Sequence, residues 1–479
     1  PPYMGGKGMN NELKAFAQEN YPDSKSDLFA MFIERNRDLA LQKGMVSMIT
    51  MQSWMFLSSF GKLREKILDE DAILSMAHLG ARAFDSIGGE VVSTTAFVIE
   101  KSKHPNYKSA YLRLVEGNCE ADKEKDLKLN RMNPYYASAA DFKKIPGSPI
   151  AYWISNTAVN NFKNLMILEE LSEAKSGMSS CNSDLFLRRW FEVSFAAINK
   201  NCKSHQDANE STAKWYPYNK GGGNRRWFGY NDTVINWENE GEEIKYFVTH
   251  NHKDPETTHW SRRLFNLEYF FREGLTWSAV SSGRFSCRKV TNGVIPGTGS
   301  KTLYDLDKNK LSIVYSILNT KVASYYLNVF SPTLNFEAGD VIKIPITKSI
   351  DHNKIFSHRL FVISRLDWDS YETSWDFTRL PLLQAEYHQP YLQESYSALR
   401  KHWREMTREM QQLEEENNRI FIEAYGLQDE LSPEVPLNEI TLTCNPCYRY
   451  GDDKSEEELE ERLLLDTIKE YISYAVGCM

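Results

Sequence analysis

The 479 residues carry 57 Lys and Arg against 65 Asp and Glu, a net charge of -8 at pH 7, with 41% hydrophobic, 25% charged and 13% aromatic residues. The proportions are those of a globular chain of about three domains, somewhat rich in aromatics. No stretch approaches the roughly 20 uncharged apolar residues of a membrane span, and the start offers no signal peptide. The acidic balance argues mildly against nucleic acid, and the seven scattered cysteines fit a reducing cytoplasm better than a disulfide framework.

The chain opens on "PPYMGGKG" with no initiating Met, and Pro1-Pro2-Tyr3 taken alone reads as a rigid turn. In "SDLFAMFIERNRDLALQKGMVSMIT", Ser26 or Asp27 can cap a helix, and Leu28, Phe32, Ile33, Leu39 and Leu41 recur at helical spacing. Gly44 ends that helix, and "MVSMIT" has the length of a strand. "FGKLREKILDEDAIL" predicts a second helix and "EVVSTTAFVIEK" a second strand. This order is the alternation of a doubly wound α/β domain, whose ligands lie at the carboxyl ends of the strands. "PPYMGG" falls there if a strand precedes it.

From about 150 to 350 the chain changes character. Leu185–Val290 holds sixteen Lys and Arg against twelve Asp and Glu, an excess that the whole-chain average hides. Arg225 and Arg226 in "RRWF", Arg262 and Arg263 in "SRRLF", and Arg284, Arg288 and Lys289 in "GRFSCRK" interleave cations with aromatics. Such residues can hold phosphates or read guanine edges, although a charge run is also what a solvated face looks like. "GVIPGTGSKT" lacks the spacing of a phosphate-binding P-loop and reads as a glycine-rich loop. Cys444 and Cys447 form a lone CxxC with no second pair or His cluster, which points away from zinc. Asn445-Pro446-Cys447-Tyr448 reads as a turn. His250, His252 and His259 sit in a polar stretch and are expected to face solvent. The tail, with "YLQESYSALRKHWREMTREMQQLEEENNRIFIEAYGL" and the acidic "GDDKSEEELEERLLLD", is helical and suited to scaffolding. Its last helix stops in mid-pattern without a cap, so the sequence is expected to be an internal fragment of a longer protein.

"PPYMGGKG", "SDLFAMFIERNRDLALQKGMVSMIT" and "AFDSIGGEVVSTTAFVIEK" together resemble the second half of the catalytic domain of N6-adenine DNA methyltransferases, and more narrowly the PglX type of BREX phage-exclusion systems. "FLRRWFEV", "KWYPYNKGGGNRRWFGYNDTVINWENEGEEIK", "FFREGLTWSAVSSGRFSCRK" and "SPTLNFEAGDVIKIPI" resemble that family's target-recognition segments, and the likeness runs into the 440s.

The resemblance implies an α/β fold class: the C-terminal half of a Rossmann-like class I methyltransferase domain over 1-145, a mixed α/β target-recognition domain over 146-350, and a helical C-terminal region over 351-479. It implies S-adenosylmethionine as cofactor, no metal, double-stranded DNA and other BREX proteins as partners, and a bacterial cytoplasmic location. Pro1, Pro2 and Tyr3 match motif positions two to four of Asn-Pro-Pro-Tyr. Phe84 matches the aromatic that covers the other face of a flipped base, and also reads as a core residue. Lys7 either meets a phosphate or faces solvent. The family's cofactor loop and acidic ribose partner precede the motif, so the fragment alone is expected to bind cofactor poorly and to be inactive. Rival readings are the methylase part of a fused restriction–modification enzyme, a DNA-binding specificity subunit without catalysis, and amino-methylation of cytosine.

Overall fold

The computed structural model describes residues 1–479 except 87–91, 131–132, 251–258, 282, 333–334, 348–349 and 351–353. The chain divides into two compact units, Pro1–Leu165 with Asn328–Pro332, and Met166–Leu327 with Thr333–Met479. The regions that the sequence separates near 350 therefore lie in one unit. All seven cysteines are free. Among the described residues, no helix is long and apolar enough to cross a membrane.

The first unit begins with α1 (Asn11–Asn20) and α2 (Leu28–Leu39). Asp27 caps α2 as expected, accepting the Phe29 N–H at 3.3 Å. The helix stops before Leu41, and Phe29, Ala30, Met31 and Ile33 are its buried apolar face, whereas Phe32, Leu39 and Leu41 are exposed. The predicted strands are β1 (Met45–Met51) and β3 (Thr94–Glu100). The predicted second helix, α3 (Gly61–Glu70), is shorter than expected, because "AIL" opens a further strand, β2 (Ala72–Gly80). A register shift between Ile73 and Ser75 breaks the two-residue alternation by which a strand is recognised.

With β4 (Ser109–Arg113) and β5 (Tyr135–Ala137), the sheet has the order β1-β3-β2-β4-β5. It is mixed rather than doubly wound throughout. The β1–α3–β2 crossover leaves β1 and β2 parallel, and β4 is parallel to β2, but β3 runs antiparallel to both its neighbours. An antiparallel return needs no crossover helix, and only 81–93 join β2 to β3.

Near the end of β2, His78 is buried between Gln52, which follows β1, and Tyr152. Its Nε2 lies 2.7 Å from Gln52 Oε1 and its Nδ1 3.0 Å from the Tyr152 hydroxyl. The Gln52 oxygen can only accept, so Nε2 carries the proton and Nδ1 accepts from Tyr152. Burial, with Arg113 and Lys123 nearby, lowers the His78 pKa to about 3.

The second unit holds two four-stranded sheets. One has the order β13 (Ile295–Pro296), β9 (Trp215–Asn219), β10 (Thr233–Asn236), β8 (Leu187–Arg189). The other runs β12 (Cys287–Val290), β11 (Gly274–Ser278), β14 (Ser300–Tyr304), β7 (Glu173–Ser176) and is wholly antiparallel. A short pair joins β6 (Met166–Ile167) to β15 (Pro345–Ile346). The 34-residue helix Leu392–Tyr425 buries Leu399, Trp403, Met410, Glu414, Phe421 and Tyr425 along one stripe. Tyr425 closes the stripe by donating its hydroxyl to the Pro345 carbonyl at 2.5 Å.

An unfolded histidine titrates near 6.5 and folded His78 near 3, so below pH 6.5 the unfolded chain binds a proton that the folded chain refuses. Stability from this group is constant above pH 6.5 and is lost as pH falls toward 3. Urea denaturation at pH 6.5 and pH 5 should show a loss of about 2 kcal/mol in the wild type that is missing from the loss in His78→Gln.

Candidate functional site

The opening loop is latched onto the first turn of α2. Asp27 Oδ1 accepts the Met4 N–H at 3.0 Å while capping α2, the Leu28 N–H donates to the Met4 carbonyl at 3.1 Å, and the Gly6 N–H donates to the Ser26 carbonyl at 3.1 Å. Pro1 and Pro2 are exposed and Tyr3 is half-buried. The Tyr3 ring stands edge-on to Phe29, centroids 6.2 Å apart, and Phe29 in turn meets Phe60 at 5.5 Å. Burial raises the Tyr3 hydroxyl above its ordinary pKa, so it stays neutral at physiological pH. Lys7 is exposed in the turn closed by the Gly8 N–H on the Gly5 carbonyl.

Phe84 is half-buried in the loop that leaves β2. The Gln52–His78 bond joins the carboxyl ends of the parallel strands β1 and β2, and Phe60 lies in the connection leaving β1, immediately before α3. The Tyr3 loop and the Phe84 loop therefore belong to the same edge of the sheet, the edge at which α/β sheets hold their ligands. Sequence reasoning found Asp27 as a helix cap but not as the clamp on Met4, and found neither Gln52 nor His78. A histidine in an apolar strand gives no local sign of its partners.

The basic residues of the second unit separate into two groups. Arg225, Arg226 and Arg288 are 2%, 4% and 1% exposed, and the expectation that they touch DNA is corrected. Arg225 donates to Asp367 Oδ2 at 2.7 Å and to the Phe228 carbonyl at 2.7 Å, and lies over the Trp368 ring. Gly229, at φ 138°, makes room for it: a Cβ there would come within 2.6 Å of the Arg225 side chain. Arg226 pairs with Glu414 and reaches Glu439 at 3.3 Å, while the Trp227 indole N–H donates to Glu414 at 2.7 Å. Burial pushes the Glu414 carboxyl up, against the pull of Arg226 and the indole N–H. Arg288 lies over the Tyr230 ring at 4.8 Å and donates to the Arg225 carbonyl at 3.2 Å. A charge so enclosed is tolerable because each is matched by carboxylates, carbonyls or aromatic faces.

The remaining cations reach the surface. Arg262 and Arg263 are exposed in the turn after His259, which is exposed too. Arg284 is 43% exposed and sits 2.8 Å from Glu439. Lys289 is half-buried, 4.0 Å from Glu273. His250 is exposed and stacks on Tyr246 at 4.0 Å, while His252 lies outside the described residues. Cys444 is buried, and among the described residues no three His, Cys, Asp or Glu side chains are grouped to hold a metal ion. Asn445-Pro446-Cys447-Tyr448 is a helix start rather than a turn: Asn445 caps the helix Pro446–Tyr450, with Pro446 in its first turn.

Comparison with known proteins places these features. Residues 1–84 match the family model described as Eco57I restriction-modification methylase, so the opening loop and the elements after it, through Phe84, belong to that class of sequence. Over all of its length the chain is 39% identical to the adenine-specific methyltransferase BrxX of Escherichia coli O9:H4 (strain HS), covering 38% of that protein. It is also 39% identical to the adenine-specific methyltransferase PglX of Lacticaseibacillus casei (strain Zhang), again over all of the chain and 39% of the relative. The chain is thus similar to PglX-type and BrxX proteins over its whole length, and it spans about two-fifths of the length of these relatives. Among solved structures, the type IIL restriction-modification enzyme MmeI in complex with DNA aligns with a TM-score of 0.49 at 10% identity, over 90% of this chain and 54% of that one.

Removing one partner of the buried pair strands the other charge, so Arg225→Ala and Asp367→Ala should each cost about 3–5 kcal/mol. Arg262→Ala, at an exposed position, should leave the melting temperature within a degree or two of wild type. Thermal denaturation of the three variants separates framework cations from surface cations.

Proposed function

We propose that this chain is part of an S-adenosylmethionine-dependent DNA adenine-N6 methyltransferase that flips its target adenine and marks host DNA at one sequence context, within a BREX phage-defence system and alongside that system's other proteins. The observation that carries this reading is the Pro1-Pro2-Tyr3 loop, pinned to the first turn of α2 at the carboxyl edge of the sheet. It stands in a chain 39% identical, end to end, to two proteins named adenine-specific methyltransferases.

The adenine amine is a poor nucleophile because its lone pair is delocalised into the ring. The Pro1 carbonyl is suited to accept an N6–H, with the Asn that the resemblance puts before it taking the other, which favours tetrahedral nitrogen. This is orientation and electrostatic stabilisation without a covalent intermediate. Tyr3, braced by Phe29, offers its ring as one face of the base pocket, and Phe84 offers the other. A base within a duplex cannot reach the site, so it must be extruded, at a cost of a few kcal/mol that stacking between two aromatics offsets. Lys7, exposed in the turn that follows Tyr3, is the cation suited to neutralise a phosphate of the extruded nucleotide.

S-adenosylmethionine would supply the methyl group as a sulfonium. The glycines near 293–299 do not suit it, because their missing side chains are filled by the chain itself: a Cβ on Gly293 would lie 2.4 Å from the Lys200 carbonyl oxygen, and one on Gly299 2.3 Å from that of Lys220. By the resemblance, the cofactor loop precedes the motif.

In the second unit Arg262, Arg263 and Arg284 are the cations suited to DNA phosphates, while Arg225, Arg226 and Arg288 fix the framework that carries them.

Mapping 6-methyladenine in cells that express the full-length protein, with and without its neighbouring genes, tests the chemistry. Modified adenines should fall in a single sequence context and drop more than about tenfold in Tyr3→Ala. DNA binding without modification under any condition would leave a specificity protein without catalysis.

Binding of the full-length protein to its duplex should weaken steeply as salt rises, and Arg262→Ala and Arg284→Ala should each reduce the slope of log K against log salt by about one. A flat dependence would remove these residues from the phosphate track.

A further inference from the structure

Within the second unit, a cleft of about 280 Å³ opens beside the β12–β11–β14 sheet, and of its walls only Lys289 is among the candidate DNA cations described above. Its floor is apolar, made by Phe271 and Leu303, both fully buried. Three cations line it, Lys203, Arg272 and Lys289, against two carboxylates, Glu273 and Asp305. Arg272 donates to Asp305 Oδ1 at 3.4 Å through one of its five N–H groups, and Lys289 lies 4.0 Å from Glu273, beyond hydrogen-bond reach. Asn292 accepts the Glu273 N–H through Oδ1 at 3.0 Å, which fixes its carboxamide and leaves the NH2 as the donor for a ligand.

The backbone supports the same conclusion. Phe271 has φ 66° and Asp305 φ 61°, a left-handed conformation that is costly for residues with side chains, and both line this cleft. Phe271 is held there by its N–H on the Val294 carbonyl and by its own carbonyl accepting the Gly293 N–H, each at 3.0 Å. Two left-handed residues in one recess, one of them held by hydrogen bonds at both its N–H and its carbonyl, are the kind of strain that clusters at ligand sites.

We propose that this cleft binds a phosphorylated ligand of mononucleotide size, its phosphate held by Lys203, Arg272 and Lys289 and its polar ring read by Asn292. The volume lies at the lower end of small-molecule sites, near ~300 Å³. The side chains of Glu273 and Asp305 are each 56% exposed, more so than Lys289 at 31% or Arg272 at 47%. Carboxylates set among the cations repel an extended polyanion, whereas a compact phosphate can be held by the three cations together. A DNA backbone phosphate shares this chemistry, so the test separates the two.

The full chain would be titrated calorimetrically with AMP, GMP, CMP, UMP, inorganic phosphate and a 12-base-pair duplex. At least one mononucleotide should bind with Kd below about 1 mM and more tightly than inorganic phosphate. Lys203→Glu and Arg272→Gln should weaken it by about fivefold or more. Glu273→Gln, which frees Lys289 from its competing carboxylate, should tighten it by about threefold, a gain that misfolding cannot produce. The proposal is overturned if no mononucleotide saturates, or if the three variants leave its Kd unchanged. It is equally overturned if the variants alter duplex affinity alone, which would assign the cleft to the DNA backbone.

Discussion

Asp367 and Glu414 are buried carboxylates, and the second unit is organised around what they hold. Asp367 takes Arg225 through Oδ2 and, at the same time, the N–H groups of Thr443 at 2.7 Å and Cys444 at 2.9 Å. One side chain thereby ties the 225–228 loop, the helix Ser357–Asp369 and the turn before Pro446. Glu414, about two-thirds of the way along the long helix, does the same for Arg226 and the Trp227 indole. In a low-dielectric interior such pairs contribute little net stability over an apolar substitute, because desolvation cancels most of the attraction. Their effect is on specificity: any other docking of the long helix buries Glu414 without Arg226 and the Trp227 indole. The tail is therefore part of the second unit's framework and not an appendage to it.

The first unit meets a different constraint. Its ligand edge must be firm, yet it is made of loops. Asp27 resolves this by serving two purposes with one carboxylate, capping α2 and holding the Met4 N–H, so that the position of Tyr3 follows from the position of a helix. Gln52 and His78 tie the ends of β1 and β2 in the same way from beneath. Because His78 is neutral, the tie introduces no buried charge, and with Tyr152 it forms a satisfied polar chain in an aromatic core.

The local parts of this architecture were legible in the sequence. The Asp27 cap and the strands β1 and β3 follow from residue type and spacing, and the Pro-Pro-Tyr loop was found as a word. β2 was lost because its bulge and its inward His78 spoil the alternation. The buried arginines were misplaced for a more general reason. Cations interleaved with aromatics describe a nucleic-acid surface and a cation–π-lined interior equally well, and what decides between them is the partner. Asp367 lies 142 residues from Arg225, and Glu414 lies 188 from Arg226, with nothing near either arginine to announce them. Arg262 and Arg263 look no different in sequence and are exposed.

That division bears on how the DNA binding proposed above would have to work. The net charge is -8, and three arginines of its most basic segment are enclosed, so the surface is more acidic than the sequence suggests. Attraction to a duplex then cannot come from overall charge and must be local, from a few cations held in fixed positions. Arg284 illustrates how this is arranged. Its guanidinium pairs with Glu439, the carboxylate that Arg226 also reaches, and so it is aimed by the buried cluster while remaining 43% exposed. A guanidinium has five N–H donors, enough to keep one carboxylate and still offer a bidentate edge to a phosphate or a guanine. In the proposed function the buried ion pairs would thus serve recognition without touching DNA, by setting the direction in which the exposed arginine points.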